Sequence, residues 1–171
     1  MGGNVMNHDR YDDSYILDIL RRTRTIAMVG ASDNWNRPSY FAMKYLQQKG
    51  FRVFPVNPRL TGKAILDEKV HASLSAIPEP IDMVDIFRNS EAAGPIVDEA
   101  IQVGARIAWM QLGVRNDDAA ARAEAAGLSV VMDRCPKIEF ARLHGELSWH
   151  GVNSGVISSR RRSLAQAGGS R

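Results

Sequence analysis

The sequence predicts a doubly wound α/β fold, a single domain on a parallel five-stranded sheet, and three observations carry that prediction. First, short runs rich in β-branched and other apolar residues recur along the chain at Thr25 to Val29, Phe51 to Val56, Ile81 to Phe87, Arg106 to Leu112 and Leu128 to Asp133. Second, most are separated by stretches of helical length with apolar residues at helical spacing, which suits right-handed crossovers between parallel strands. Third, the strand at 25–29, TIAMV, is apolar on both alternations, as a central strand covered on two faces must be. A chain of 171 residues, 44% hydrophobic and 24% charged, suits one soluble globular domain; at this size about 70% of the unfolded surface can be buried.

Residues 1–11 show no apolar period and are expected as a flexible arm. Asp12-Asp13-Ser14 are helix-start residues ahead of the apolar face Tyr15, Ile16, Ile19 and Leu20, and Arg21-Arg22 suit a helix end. After the strand at 25–29 comes a polar loop, then Pro38 at a first helical position and the stripe Phe41, Ala42, Tyr45, Leu46, closed by Gly50. Asn57-Pro58-Arg59 stop the second strand. Residues 60–80 read as irregular, with a brief helix near Val70 to Ala76.

Ser90 and Glu91 open a helix to about Val103, with Gly104 behind it. Asn116-Asp117-Asp118 cap an Ala-rich helix through Ala126, and Cys135-Pro136 open a last helix to about Leu143. The expected domain is therefore 12–157, Rossmann-like, with a C-terminal extension from about residue 145, followed by a basic, disordered tail over 158–171.

Charge and composition exclude several classes. The formal charge of +3 comes from the tail, where Arg160, Arg161, Arg162 and Arg171 stand without an acid; the remainder carries one more acid than base. Aromatic residues do not interleave with those arginines, so nucleic acid is not an expected partner. No apolar run nears the ~18 residues of a membrane span, and the N-terminus has no apolar signal region. Cys135 is the only cysteine, which rules out an intramolecular disulfide and speaks against a cysteine zinc site, so a reducing, cytoplasmic setting is expected.

In doubly wound sheets ligands bind beyond the carboxyl ends of the strands, where strand order reverses. That edge gathers Gly30-Ala31-Ser32, Asn57-Pro58-Arg59, Phe87-Arg88, Gln111-Leu112 and Arg134-Cys135. The stretch TIAMVGASDNWNRPS is strand, turn and helix start, a place for a phosphate on unpaired backbone N–H groups. It has one glycine where the dinucleotide fingerprint has three. NAD sites also place an acid roughly 20 residues further on to hold the ribose. Between Asp33 and Asp67 there is no acid, only Arg37, Lys44, Lys49, Arg52, Arg59 and Lys63. An additional phosphate near the adenosine ribose is favoured, which admits NADP or coenzyme A, and composition does not separate them.

The motifs VGAS, RPSY, PVNPR, DIFR, WMQLGV and DRCPKIE, in this order and spacing, closely resemble the small bacterial CoA-binding proteins. These are stand-alone relatives of the CoA-binding domain of succinyl-CoA synthetase and the acyl-CoA synthetases, and the resemblance runs from about Ile16 to Arg161. It implies that Gly30, Ala31 and Ser32 approach the CoA pyrophosphate, with Arg37, Pro38 and Ser39 completing an anion pocket. Asn57, Pro58 and Arg59 would hold the adenosine end, with Lys63 nearby, and a guanidinium suits a phosphate there. Phe87 and Arg88 would flank adenine or ribose, and Met110, Gln111 and Leu112 would line the route of the pantetheine arm.

The synthetases' phosphorylated histidine lies on a following domain, which is not expected in this sequence, and His8, His71, His144 and His150 stand outside that context. The resemblance thus implies binding of coenzyme A or an acyl-CoA without thioester synthesis. Two other readings stand beside it: an NADP-dependent reductase, and a partner subunit presenting CoA to a separate acyl-CoA ligase. Cys135 precedes a helix N-terminus and follows Arg134, a setting that lowers a thiol pKa, so a redox thiol forming a mixed disulfide with CoA is one expectation and plain packing the other. Trp149 is a candidate for packing on the domain or across a homodimer.

Overall fold

The computed structural model describes residues 6–145; Trp149, His150, the C-terminal extension and the arginine tail lie outside the described residues. In chain order the elements are α1 (Asp13–Arg22), β1 (Thr25–Val29), α2 (Pro38–Gln48), β2 (Arg52–Val56), β3 (Ala64–Ile65), β4 (Glu68–Lys69), β5 (Met83–Ile86), α3 (Ser90–Gln102), β6 (Ile107–Met110), α4 (Asp117–Ala125), β7 (Ser129–Val131) and α5 (Pro136–Leu143).

The five long strands form one parallel sheet in the order β2-β1-β5-β6-β7. The chain leaves β1 for β2 on one side and returns past it to β5, so strand order reverses between β1 and β5. Alternation then divides the core in two. Ile26 and Met28 of β1 face α1, α2 and α5, joined by Met43, Leu46 and Trp109. Ala27 points to the opposite face, with Val84, Ile86, Ala108 and Met110, against α3 and α4. The alanines of α4 (Ala119, Ala120, Ala123) and of α3 (Ala93, Ala100) are buried, and small side chains let these two helices lie close together.

Three local expectations are corrected. The stretch 60–80 is less irregular than its sequence reads: β3 and β4 make a two-stranded antiparallel ribbon, and Val56 bridges to His71. The helix expected near 70–76 is one 3₁₀ turn, Leu74–Ala76. The last part of the expected arm is held down: the Tyr11 hydroxyl accepts from Met132 N at 2.9 Å, and His8 bridges that hydroxyl and Glu124, 2.7 Å from each.

Candidate functional site

The site begins where three strands end together. Gly30 follows β1 with φ +88°, donating its N–H to Val56 O at 3.0 Å. A Cβ on Gly30 would lie against the carbonyl oxygen of Phe87, so the glycine is demanded by the close approach of the β1 and β5 ends. From there the loop is a chain of local turns. Ser32 Oγ accepts from Asn34 N at 3.1 Å, and Asn34 Oδ1 accepts from Asn36 N at 2.9 Å. Ala31 is buried, and Arg37 and Pro38 are exposed. The Arg37 side chain does not cap α2 and Pro38 has no N–H, which leaves the amide of the otherwise buried Ser39 without a partner among the described residues.

The end of β2 is fastened to this loop. Asn57 Nδ2 donates to Ala31 O at 2.9 Å while its Oδ1 accepts from Arg59 N at 2.9 Å. Asn57 is therefore a tie between two loops, and its side chain is committed within the protein. The tie holds Pro58 and Arg59, both exposed, beside the Gly30 turn.

The six cations of the acid-free stretch sort by position. Arg52, at the amino end of β2, pairs with Glu68 at 2.8 Å and Glu79 at 3.8 Å, and Lys49 lies 5.3 Å from the Tyr45 ring centroid at the same end. Lys44 lies within α2. Arg37, Arg59 and Lys63 stand at the carboxyl edge and have no acidic partner among the described residues. Arg88 also has no ion-pair partner among the described residues, and its Cδ is about 3.1 Å from where a Gly30 Cβ would be.

Beside them opens a cavity of about 730 Å³ between the start of α2, the ends of β5 and β6, and the start of α5. Of the residues singled out from sequence, Pro38, Phe87, Arg88, Gln111, Leu112 and Cys135 line it. Gly30, Ala31, Ser32, Arg37, Ser39, Asn57, Pro58, Arg59 and Lys63 do not; they form the neighbouring edge over β1 and β2. Met110 is a correction: strand alternation turns it into the α3/α4 core, fully buried and away from the cavity. Asn36, Phe41, Ala42, Asn89, Val114, Lys137 and Ile138 complete the wall and were missed. Phe41 and Ala42 were read as one apolar helix face; Phe41, 47% exposed, in fact stands at the cavity rim with Leu112, 57% exposed.

Beneath the cavity lies a buried polar group. Asp85 on β5 is 0% exposed and accepts from Gln111 Nε2 at 2.9 Å through Oδ1; its Oδ2 has no partner among the described residues. Burial raises its pKa to about 7, with the Gln111 bond acting in the opposite direction. Cys135 is buried as well. The low thiol pKa expected from its helix-start position is not found: desolvation pushes it up, outweighing the Ile138 and Lys137 amides, and the Asp85 charge adds to the rise. Among the described residues no cluster of His, Cys, Asp or Glu could hold a metal ion, and no helix is long and apolar enough to cross a membrane.

A parallel sheet whose order reverses at β1/β5, with unpaired cations and a cavity beyond its carboxyl ends, defines a Rossmann-like α/β domain of the nucleotide-binding type. Comparison with known proteins narrows the class. The chain belongs to the CoA binding domain family, whose model matches residues 24–141. It is 36% identical to the Bacillus subtilis protein YneT over 126 residues, 74% of this chain and 92% of that one. A Pyrococcus horikoshii structure at 36% identity superposes with a TM-score of 0.77, covering 84% of this chain and all of that one. An ADP-forming acetate-CoA ligase of Archaeoglobus fulgidus is 30% identical over 83 residues, 47% of this chain but 12% of the ligase.

Proposed function

We propose that this protein binds coenzyme A or an acyl-CoA across the carboxyl edge of its sheet, as a binding or regulatory module without thioester chemistry of its own. The observation that carries the reading is the pairing of two neighbouring features: an edge with Arg37, Arg59 and Lys63 free of acidic partners among the described residues, and a largely apolar cavity next to it. A nucleotide with an additional phosphate and a long, mostly apolar arm suits both. In this reading Arg59, with Lys63, meets the 3′-phosphate, the Gly30 turn and the Ser39 amide meet the pyrophosphate, and the arm runs past Phe87 and Leu112 to Gln111 and Cys135.

Titration calorimetry with coenzyme A, dephospho-CoA and NADP tests it. Coenzyme A binds tightest, and Arg59→Ala weakens it roughly tenfold to hundredfold, the loss of one charge-assisted contact, while leaving dephospho-CoA unchanged. Equal affinity for coenzyme A and dephospho-CoA in the native protein sinks the 3′-phosphate assignment, and tighter NADP binding favours the reductase reading. The likeness to a segment of an acetate-CoA ligase supports a second reading, a module lending CoA to a separate ligase chain; co-purification of a synthetase-like partner is its test. A mixed disulfide between Cys135 and CoA is checked by intact mass after mild oxidation with CoA present. The raised thiol pKa predicts slow formation at neutral pH, and an adduct that persists in Cys135→Ser removes Cys135 as its site.

A further inference from the structure

The cavity is largely apolar, with Pro38, Phe41, Leu112, Val114 and Ile138 in its lining, and its polar lining residues are Asn36, Arg88, Asn89, Lys137 and Gln111. Of these Gln111 is buried, and it presents a carboxamide. Behind Gln111 stands Asp85, in the middle of a central strand, with the uncharged Met28 and Trp109 beside it in register on β1 and β6. A carboxyl there contributes nothing to sheet packing that a hydrophobic side chain would not do better. Among the described residues its side chain has one hydrogen bond, to Gln111.

That bond has a direction. An ionised carboxylate only accepts, so the Gln111 atom facing Asp85 is the amide nitrogen. The carboxamide oxygen Oε1 takes no hydrogen bond among the described residues, and it is the acceptor left for the cavity.

We propose that Asp85 is a positioning residue that fixes the Gln111 carboxamide so that Oε1 accepts a hydrogen bond from an amide N–H of the pantetheine arm. This rests on the coenzyme A reading above. It makes the cavity selective for a ligand that donates at this point, and it makes that selectivity depend on pH. Burial puts the Asp85 pKa at about 7. Above it, Gln111 has one orientation. Below it, the carboxylic acid can itself donate to Oε1, and the carboxamide is free to turn over and offer Nε2, which repels a ligand N–H.

Few other groups around Asp85 titrate in this range. Cys135, at the start of α5, is the thiol coupled to its charge, and with a raised pKa it stays protonated from about pH 6 to about pH 8. Lys137 lies on the same turn, and its charge and its backbone amide both act on Cys135. The wall contributed by α2, Pro38, Phe41 and Ala42, carries no charge. Arg88 stands at the cavity wall after β5.

The test is calorimetry on the full chain with two probes: coenzyme A, and adenosine 3′,5′-bisphosphate, which lacks the arm. Expected are a roughly tenfold loss of coenzyme A affinity in Gln111→Leu with the bisphosphate unaffected, and wild-type coenzyme A binding that weakens several-fold from about pH 8 to about pH 6. The 3′-phosphate, carried by both probes, itself takes up a proton at about pH 6, so Asp85→Asn should bind coenzyme A more weakly than wild type at about pH 8 and show only the shallower pH slope that the bisphosphate shows. Gln111→Met replaces Gln111→Leu if the latter melts early. The proposal is overturned if the Gln111 variants bind coenzyme A like wild type or lose both probes equally, or if Asp85→Asn keeps the wild-type pH slope. Wild-type protein that binds neither probe overturns the coenzyme A reading itself.

Discussion

A carboxyl group buried in a central strand, as Asp85 is, costs the fold stability whenever it ionises. Unfolded, it ionises above an ordinary value near 4; folded, only above about 7. Between those values the folded state holds a proton that the unfolded state has lost, so the folded state is progressively disfavoured as pH rises through the window, and the loss levels off above the folded pKa. Three pH units correspond to roughly 4 kcal/mol as an upper bound, because relaxation and water entry soften a buried charge. Urea unfolding of Asp85→Asn is therefore expected to lack the decline that wild type shows between about pH 5 and about pH 8, and to have the higher midpoint at the upper end. An Asn that tracks wild type across the window would mean that Asp85 is solvated. At this scale the sequence was legible in residue type and not in reason. Gly30 stood out as a turn glycine, but its cause is the Phe87 carbonyl arriving from a strand 57 positions away. Asp85 falls inside the strand run Ile81 to Phe87 and was not singled out, because nothing local says that its side chain turns under a cavity.

At the scale of elements, what was legible followed from period and punctuation. Strand and helix positions came from apolar runs bounded by Gly, Pro, Asn and Asp, and the five parallel strands lie where those runs are. The β3/β4 ribbon escaped because its strands are two residues each and its turn residues, Leu66 at φ 49° and Asp67 at φ 67°, replace the Asn-Gly that usually marks such a turn. Met110 escaped because a strand end names three consecutive residues while alternation admits only every second one to the cavity face. Asn57 carries the joint between the β1 and β2 loops: two hydrogen bonds, one to Ala31 O and one from Arg59 N. Losing both costs about 1–3 kcal/mol in Asn57→Ala. It should also weaken coenzyme A binding by releasing Arg59 from the Gly30 turn, though Asn57 itself need not touch the ligand. Thermal melts and calorimetry on that variant separate the two effects: unchanged affinity with lowered stability would make Asn57 a fold residue alone.

For the molecule as a whole, the class of fold was legible and the order of its strands was not. Alternating strand and helix dictates a layered parallel sheet, whereas β2-β1-β5-β6-β7 depends on which way the chain turns after β2, a choice made by packing. The same order brings the ends of β1, β2, β5 and β6 to one edge, so a ligand lying along it touches loops from opposite sides of the reversal and ties the two halves of the sheet together. A ligand in that position stabilises the whole domain and not one loop. At about one hundred times its dissociation constant it adds ~2.7 kcal/mol. For a domain of this size each kcal/mol raises the melting temperature by about 2–4 °C. Coenzyme A at such a concentration is thus expected to raise the melting temperature by roughly 5–10 °C in a single cooperative transition. Dephospho-CoA at the same concentration should raise it less, in proportion to the missing contact at Arg59. If both ligands shift the transition equally, the cations after β2 are ordinary surface charge and the ligand is held by the Gly30 turn and the cavity alone.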